Sequence, residues 1–459
     1  MMPEVQRIRQ SRTPFRVEAP DVELPSSVDN SRTTFFPPII NQTGGSCAQA
    51  AGIGYMMTYE MNRMLRRDAS LPANRMSYLF VWNLINEGID QGSFVEQGLN
   101  MARSFGVMSE ADFGTPGLTI YKWATGYERY ERAMHNRAAD ILSLPDSIPL
   151  LKRYLYDAGR DEHPGGIVTF STNVTDWQLD TTYAGPSATG YHAMLTSLGT
   201  DGTHALTIVG YDDLVAYTDA RGATHTGAFI VCNSWGNYYL HDHGRFYLPY
   251  DFFRDPEVKD ATLSSTLNGV RVTTYEPQVI CHIELTHTSR NDLCFGMVAT
   301  TDRHLASPST APLYSPLFNH QGGDFNMQGQ FRVADMDMAI DFTTRNPDTI
   351  QKYFLTIFAT PTGKQSGTGQ MKAIEVIDLR TETHTHYPYR ATLPVAIHRS
   401  NNIFPIPLTP LFAIPVAPAN WLGDNPATYV VRTAAGRRAK MQVLPAADKP
   451  NTVSLRYAL

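Results

Sequence analysis

Gln42-Thr43-Gly44-Gly45-Ser46-Cys47 is the stretch on which the reading of this chain turns. A thiol at an ordinary pKa is mostly protonated near neutrality, so a nucleophilic cysteine wants an imidazole beside it and a helix N-terminus beneath it. The sequence predicts both. Gly44 and Gly45 give a flexible approach, Ser46 is a plausible N-cap, and Ala48, Gly52, Tyr55, Met56 and Tyr59 follow at helical spacing.

The remaining parts of such a site lie far downstream. His204 opens the alternating run His204-Ala205-Leu206-Thr207-Ile208-Val209, with Gly210-Tyr211-Asp212-Asp213 expected to end the strand. Ala228 to Cys232 forms a second apolar strand, and Asn233 at its end can orient the imidazole. Trp235, in Asn233-Ser234-Trp235-Gly236, would cover the Asn-His hydrogen bond and keep water from it. Gln42 and the Cys47 backbone N–H would donate to the oxyanion of a tetrahedral intermediate. Singly, a cysteine before a helix is usually a small buried hydrophobe and a histidine in an apolar strand is usually structural. Their joint occurrence in this order points to a nucleophile, a base, an orienting amide and an oxyanion donor.

These residues resemble the papain family of cysteine peptidases. His204 follows Cys47 by about 160 residues, a little beyond the roughly 130–150 usual there, which implies a modest insertion. Further islands of resemblance are Leu24-Pro25-Ser26-Ser27-Val28-Asp29, like the start of the mature domain, and Pro38-Ile39-Ile40-Asn41-Gln42, like the approach to its active-site loop. Met76-Ser77-Tyr78-Leu79-Phe80 and Gly92-Ser93-Phe94-Val95 are similar to the stretch ending in the cleft strand, and Gly106-Val107-Met108 to the turn after the next helix. The resemblance covers about residues 24 to 250. It implies a two-lobe α+β fold, a helical lobe against a β-barrel-like lobe, with Gly92 and Ser93 pairing to substrate backbone and Phe94 near a side-chain pocket. The sequence departs from the family in three ways: the Gln42–Cys47 loop is one residue short, Gly44 stands where a disulfide cysteine is usual, and Ala48 replaces an aromatic. Ser93 also takes the place of the second cleft glycine.

The rest of the chain divides by texture. Ala48 to Leu65, Met76 to Glu87 and Ser93 to Phe105 have helical periodicity. Within 115–165, read as an insertion, Tyr127 to Leu142 and Ile148 to Ala158 are predicted helices. Strands are predicted at Ile167 to Ser171 and Arg245 to Leu248. After about residue 265 the sequence turns to Pro, Thr and short alternating runs, as in an all-β sandwich. His287-Thr288-Ser289-Arg290-Asn291-Asp292-Leu293, Tyr353 to Ile357, Gly367 to Gln370 and Ile374 to Val376 resemble parts of the P domain, a jelly-roll module of some proprotein convertases and bacterial peptidases; a generic β-sandwich is the alternative. Residues 405–459 are expected to add strands. The expected organisation is thus an extension over 1–23, a peptidase domain over 24–264 and a β domain over 265–459.

Composition sets bounds on function. The 459 residues, 42% hydrophobic, suffice for two or three cores. With 38 basic and 44 acidic residues, a net charge of −6 and no long basic tract, no nucleic-acid partner is expected. No apolar run is long enough for a membrane span. Met1 to Pro20 has no apolar secretory core, which suits a cytoplasmic protein or one exported by a route not readable here; residues 1–23 are expected as a loose tail. Cys281 and Cys294 are expected as buried thiols rather than a bridge. His384-Thr385-His386 and His241-Asp242-His243 lack companion ligands, and strand alternation explains Asp335, Asp337 and Asp341 without calcium. No metal or organic cofactor is expected, the expected partner is a polypeptide substrate, and the oligomeric state is unassigned. Two other readings remain open: acyl transfer or amidase chemistry on the same fold, and a catalytically impaired protein that binds ligands.

Overall fold

The computed structural model describes residues 3–114, 120–218, 222–237, 242–254, 267–316, 322–329, 333–359, 367–380, 382–408, 427–432, 438–445 and 453–458. Its architecture is mixed α/β with several sheets.

The nucleophile segment starts a continuous helical run. Cys47–Gln49 is α-helical, Ala50–Met57 is a π-helix and Thr58–Leu65 is α-helical again. All eight residues of the π segment are buried, and tertiary packing on every side is what sustains so long a stretch of a rare geometry. Gly52 and Gly54 let it approach its neighbours: added side chains would meet Val95 and Ile40. Tyr78–Ile85, also buried throughout, and Val95–Ser104 pack beside it.

A ten-stranded sheet carries the base. Across it run Thr13–Pro14, Asn136–Leu144, Leu267–Thr274, Val168–Asn173, Thr203–Thr218, Thr224–Cys232, Arg245–Pro249, Met194–Ser197 and Gln178–Asp180, with Ser27–Asp29 paired onto Thr203–Thr218. The strand of His204 does not end at Gly210-Tyr211-Asp212-Asp213. It continues to Thr218 through register shifts on both sides of that stretch, where the Asp212 side chain accepts hydrogen bonds from Ala188, Thr189 and Leu214 N–H groups. Bulges of this kind supply the polar groups with partners without stopping the ladder.

Two expectations fail for one reason. The helix predicted over Tyr127 to Leu142 stops at Met134, and Asn136–Leu144 is a strand pairing antiparallel with Leu267–Thr274. The N-terminal segment is not a loose tail: Pro3–Gln10 is a helix with Val5 and Ile8 buried, Thr13–Pro14 pairs parallel with Leu142 and Ser143, and Phe15 packs edge-on to Tyr154. Both segments are recruited by partners distant in sequence, and tertiary pairing overrides local propensity.

The C-terminal part contains a sheet ordered Asp335–Asp341, Val279–His287, Gly369–Asp378, Thr385–Pro388, and a second ordered Leu313–Tyr314, Leu293–Thr300, Lys352–Ala359, Ser400–Pro407. Ala427–Arg432, Arg438–Pro445 and Val453–Ala458 form a third. Cys281 and Cys294 are both free thiols, the first buried and the second half-buried. The aspartates of Asp335–Asp341 have cationic partners: Asp335 pairs with Lys372, Asp337 with His282 and Asp341 with Arg137.

His282 lies where this β region meets Tyr127–Met134. Its Nδ1 is 2.9 Å from Glu375, its Nε2 3.0 Å from Asp337 and 3.9 Å from Glu284, and Tyr127 stacks on it at 4.1 Å. His386 shares the Glu375 carboxylate at 3.0 Å. Burial by itself would lower the His282 pKa, but its hydrogen bonds to Asp337 and Glu375 outweigh burial and raise it to about 9. A raised folded value stabilises below the unfolded value of about 6.5 and is lost as pH climbs through about 9. We therefore expect the wild-type protein to lose up to about 3 kcal/mol between pH 6.5 and 9.5, and His282→Gln to flatten that dependence, as read by urea unfolding at both pH values.

Candidate active site

The long antiparallel ladder explains why the sequence-predicted residues meet. Thr207 pairs with Cys232, so the chain leaving Cys232 runs back beside the start of the histidine strand. Asn233 then reaches His204, its Oδ1 accepting from Nε2 at 2.9 Å, and Trp235 stacks on the imidazole with centroids 4.4 Å apart and planes at 27°. Trp177 closes the far side of Trp235 edge-on at 5.7 Å. The Asn233 amide is itself fixed, since Oδ1 also accepts from Ser234 N–H at 2.7 Å. His204 is only 4% exposed. Because Asn233 takes the proton of Nε2, the lone pair of the neutral ring is on Nδ1.

Cys47 comes to this place from the opposite side. It is half-buried, at the start of a helix that packs against the strand of His204, where the backbone N–H groups of Ala205, Ala48 and Cys47 itself favour the ionised sulfur. Burial pushes the thiol up, and these N–H groups pull it back only in part. Burial also lowers His204, to about 4, against the hydrogen bond from Asn233. Burial thus works against the charged form of each group, the thiolate of Cys47 and the imidazolium of His204.

The loop before the nucleophile differs in detail from expectation. Ser46 holds the N-cap position but makes no side-chain cap; its hydroxyl donates to Thr43 O at 2.7 Å. Gly44 has φ +51°, and a side chain there would strike the Asp90 carboxylate. That carboxylate accepts from Gly45 N–H at 2.7 Å, and Gly45 packs so closely on the Gln91–Gly92 backbone that a Cβ would lie 2.8 Å from it. Gln42 accepts at Oε1 from Ser234 Oγ at 2.6 Å, while its N–H2 donates to Gly44 O at 2.8 Å, so one of the two amide protons stays available. Its own N–H donates to Ser234 O at 2.8 Å, which ties the nucleophile loop to the asparagine loop.

On the expected cleft side, Gly92 is exposed and a Cβ there would meet nothing within 4 Å. Ser93 Oγ and Phe94 O both accept from Gln49 Nε2 at 3.0 Å. The Phe94 ring lies under the Arg9 guanidinium at 5.5 Å, and Arg9 pairs with buried Glu96 at 2.7 Å. Three residues to which the sequence reading gave no role at the site thus support it. Gln49 was detectable as a polar residue in an apolar helix, and Asp90 as the partner that paired glycines imply. Tyr55 was detectable because a buried phenol needs a partner. Its hydroxyl accepts from Ile40 N–H and donates to Asn233 O, both at 2.8 Å. Among the described residues no group of three or more His, Cys, Asp or Glu is placed to hold a metal, and no helix is long and apolar enough to cross a membrane. His241 lies outside the described residues.

No protein-family model matches the sequence, and no curated protein does. Structural neighbours are papain-like cysteine proteases at low identity. Xylellain, a cysteine protease from Xylella fastidiosa, is 18% identical over 54% of this chain and 87% of its own, with a TM-score of 0.39. The bromelain protease from Ananas comosus, in complex with the E64 inhibitor, is 16% identical over 54% of this chain and 99% of its own, TM-score 0.35. The cysteine protease and lectin-like domains of Cwp84, a surface layer associated protein of Clostridium difficile, are 13% identical over 88% of this chain and 95% of their own, TM-score 0.39. All three scores are below 0.5, and what the site can do follows from its own side chains.

Proposed function

We propose that the chain is a papain-like cysteine peptidase that hydrolyses peptide bonds through an acyl-enzyme, its site residues being Cys47, His204, Asn233 and Gln42. The carrying observation is that Asn233 fixes the protonated nitrogen of a Trp235-covered His204 while Cys47 opens a helix packed against the strand that His204 begins. In this reading His204 Nδ1 takes the thiol proton as sulfur attacks the scissile carbonyl, then returns it to the leaving amine. Water, deprotonated by the same nitrogen, releases the acid and restores the thiol. Gln42 and the Cys47 N–H stabilise the oxyanion. Gly92 and Ser93 pair with extended substrate, and Phe94 and Trp235 flank it. The peptidase domain is about 24–264 together with the strands Thr13–Pro14 and Leu267–Thr274, which share its sheet, and a β-sandwich domain follows.

Labelling with a thiol-directed peptide epoxide tests this reading: Cys47 should be modified ahead of Cys232, Cys281 and Cys294, and an unlabelled Cys47 in folded protein would leave only a binding role. Product analysis with an added amine separates hydrolysis from acyl transfer.

A pH consequence follows from the neutral imidazole. The base must be unprotonated to act, so activity should rise as pH increases through about 4 rather than through 6.5. The Asn233 hydrogen bond opposes the downward shift, so Asn233→Ala should move that limb lower still while reducing kcat about 10²-fold. Profiles of kcat/KM from pH 3 to 8 for both proteins check this.

A further inference from the structure

Residues 322–329 belong to the β region in sequence, yet they are seated on the segment that leads to Gly92. Gly322 N–H donates to Leu84 O at 3.1 Å. Three glycines make the approach close: Gly88, Gly322 and Gly323 have φ of +73°, +60° and +85°, and Cβ atoms on them would lie 2.3 Å from the Phe325 ring, 2.4 Å from Asn83 O and 2.4 Å from Glu87 O. Phe325 fills the space that Gly88 leaves and packs on Tyr121 at 4.4 Å. The β region holds it from behind, with Arg290 N–H donating to Phe325 O at 2.8 Å and the buried Arg290 guanidinium donating to Gly322 O.

From Gly88 the contacts run on to the site. Asn86, fully buried, accepts from Gly88 N–H at Oδ1, donates to Ile120 O, and accepts at its carbonyl from Ile89 N–H and the Gln91 side chain. Trp82 Nε1 holds Gln91 O at 3.2 Å. Asp90, between them, takes the Gly45 N–H of the nucleophile loop. The 86–91 turn is thus short of strands to support it, exposed at Glu87, Ile89 and Asp90, and supported on its outer side by a different part of the chain.

We propose that the β domain works as a clamp on the substrate cleft, with Phe325 as a positioning residue that sets the 86–93 segment and, through Asp90, the loop of Cys47. The effect on substrate rests on the peptidase reading above; the clamp itself does not. The test uses the full chain, with Phe325→Ala and the conservative Phe325→Leu. In Phe325→Ala, hydrogen exchange at Ile89, Gln91 and Gly45 should quicken about tenfold while the strand Thr203–Thr218 exchanges as before. KM for an extended peptide should rise about tenfold with kcat within about threefold, and iodoacetamide should alkylate Cys47 at a rate within about twofold of wild type. Phe325→Leu should restore most of each loss. Unchanged exchange at 86–92, or acceleration spread equally over the chain, would overturn the clamp. If Phe325→Ala shows the exchange effect and the wild-type chain cleaves no peptide, the peptidase reading is overturned and the clamp stands.

Discussion

Cys47→Ala is expected to end peptide hydrolysis, lowering kcat by roughly 10⁴-fold or more, because every covalent step passes through the sulfur. Alanine keeps the Cβ at the helix start and removes a single half-buried atom. Unfolding should therefore shift by no more than about 1 kcal/mol. Digestion of a peptide library by the two proteins, with thermal unfolding of each, makes the comparison. Residual cleavage at more than about a hundredth of the wild-type rate would assign the chemistry to another group. His204→Ala should lose nearly as much, and the double variant little more than either, since nucleophile and base act as one unit.

The second large effect is at Gln42. Gln42→Ala should lower kcat about 10²–10³-fold with KM little changed, the mark of a donor that acts on the developing oxyanion and not on bound substrate. The structure adds a condition. Gln42 is aimed by Ser234, which donates to its Oε1 at 2.6 Å, and one amide proton is already engaged by Gly44 O. Ser234→Ala should cost only severalfold in kcat, since it frees the amide to turn without removing it. If Gln42→Ala and wild type have equal kcat, the shortened loop does not deliver a donor, and the Cys47 N–H carries the oxyanion without it.

The candidate site residues were legible because each lies in a short local pattern whose chemistry names its type: a cysteine opening a helix, a histidine in a strand, an asparagine at a strand end. The antiparallel register of Thr207 with Cys232 is what joins two of them, and because both strands are buried on both faces there, that register comes from the assembled sheet. What was not legible depended on partners far away in sequence. Asn136–Leu144 reads as helix by periodicity and is a strand because Leu267–Thr274 lies beside it. Pro3–Gln10 reads as a tail and is docked because Glu96 and the apolar face around Ile8 receive it. The protonation state of the site was also out of reach, since it depends on how deeply sulfur and imidazole are buried. Gly44 and Gly45 were visible as flexible residues, whereas their role in admitting Asp90 and Gln91 required the other segment to be in view.

The burial that raises the Cys47 thiol bears on its reactivity toward oxidants. Peroxides oxidise thiolates far faster than thiols, and the first product, a sulfenic acid, would end nucleophilic chemistry until reduced. Burial that disfavours the thiolate of Cys47 therefore also slows its oxidation by peroxide.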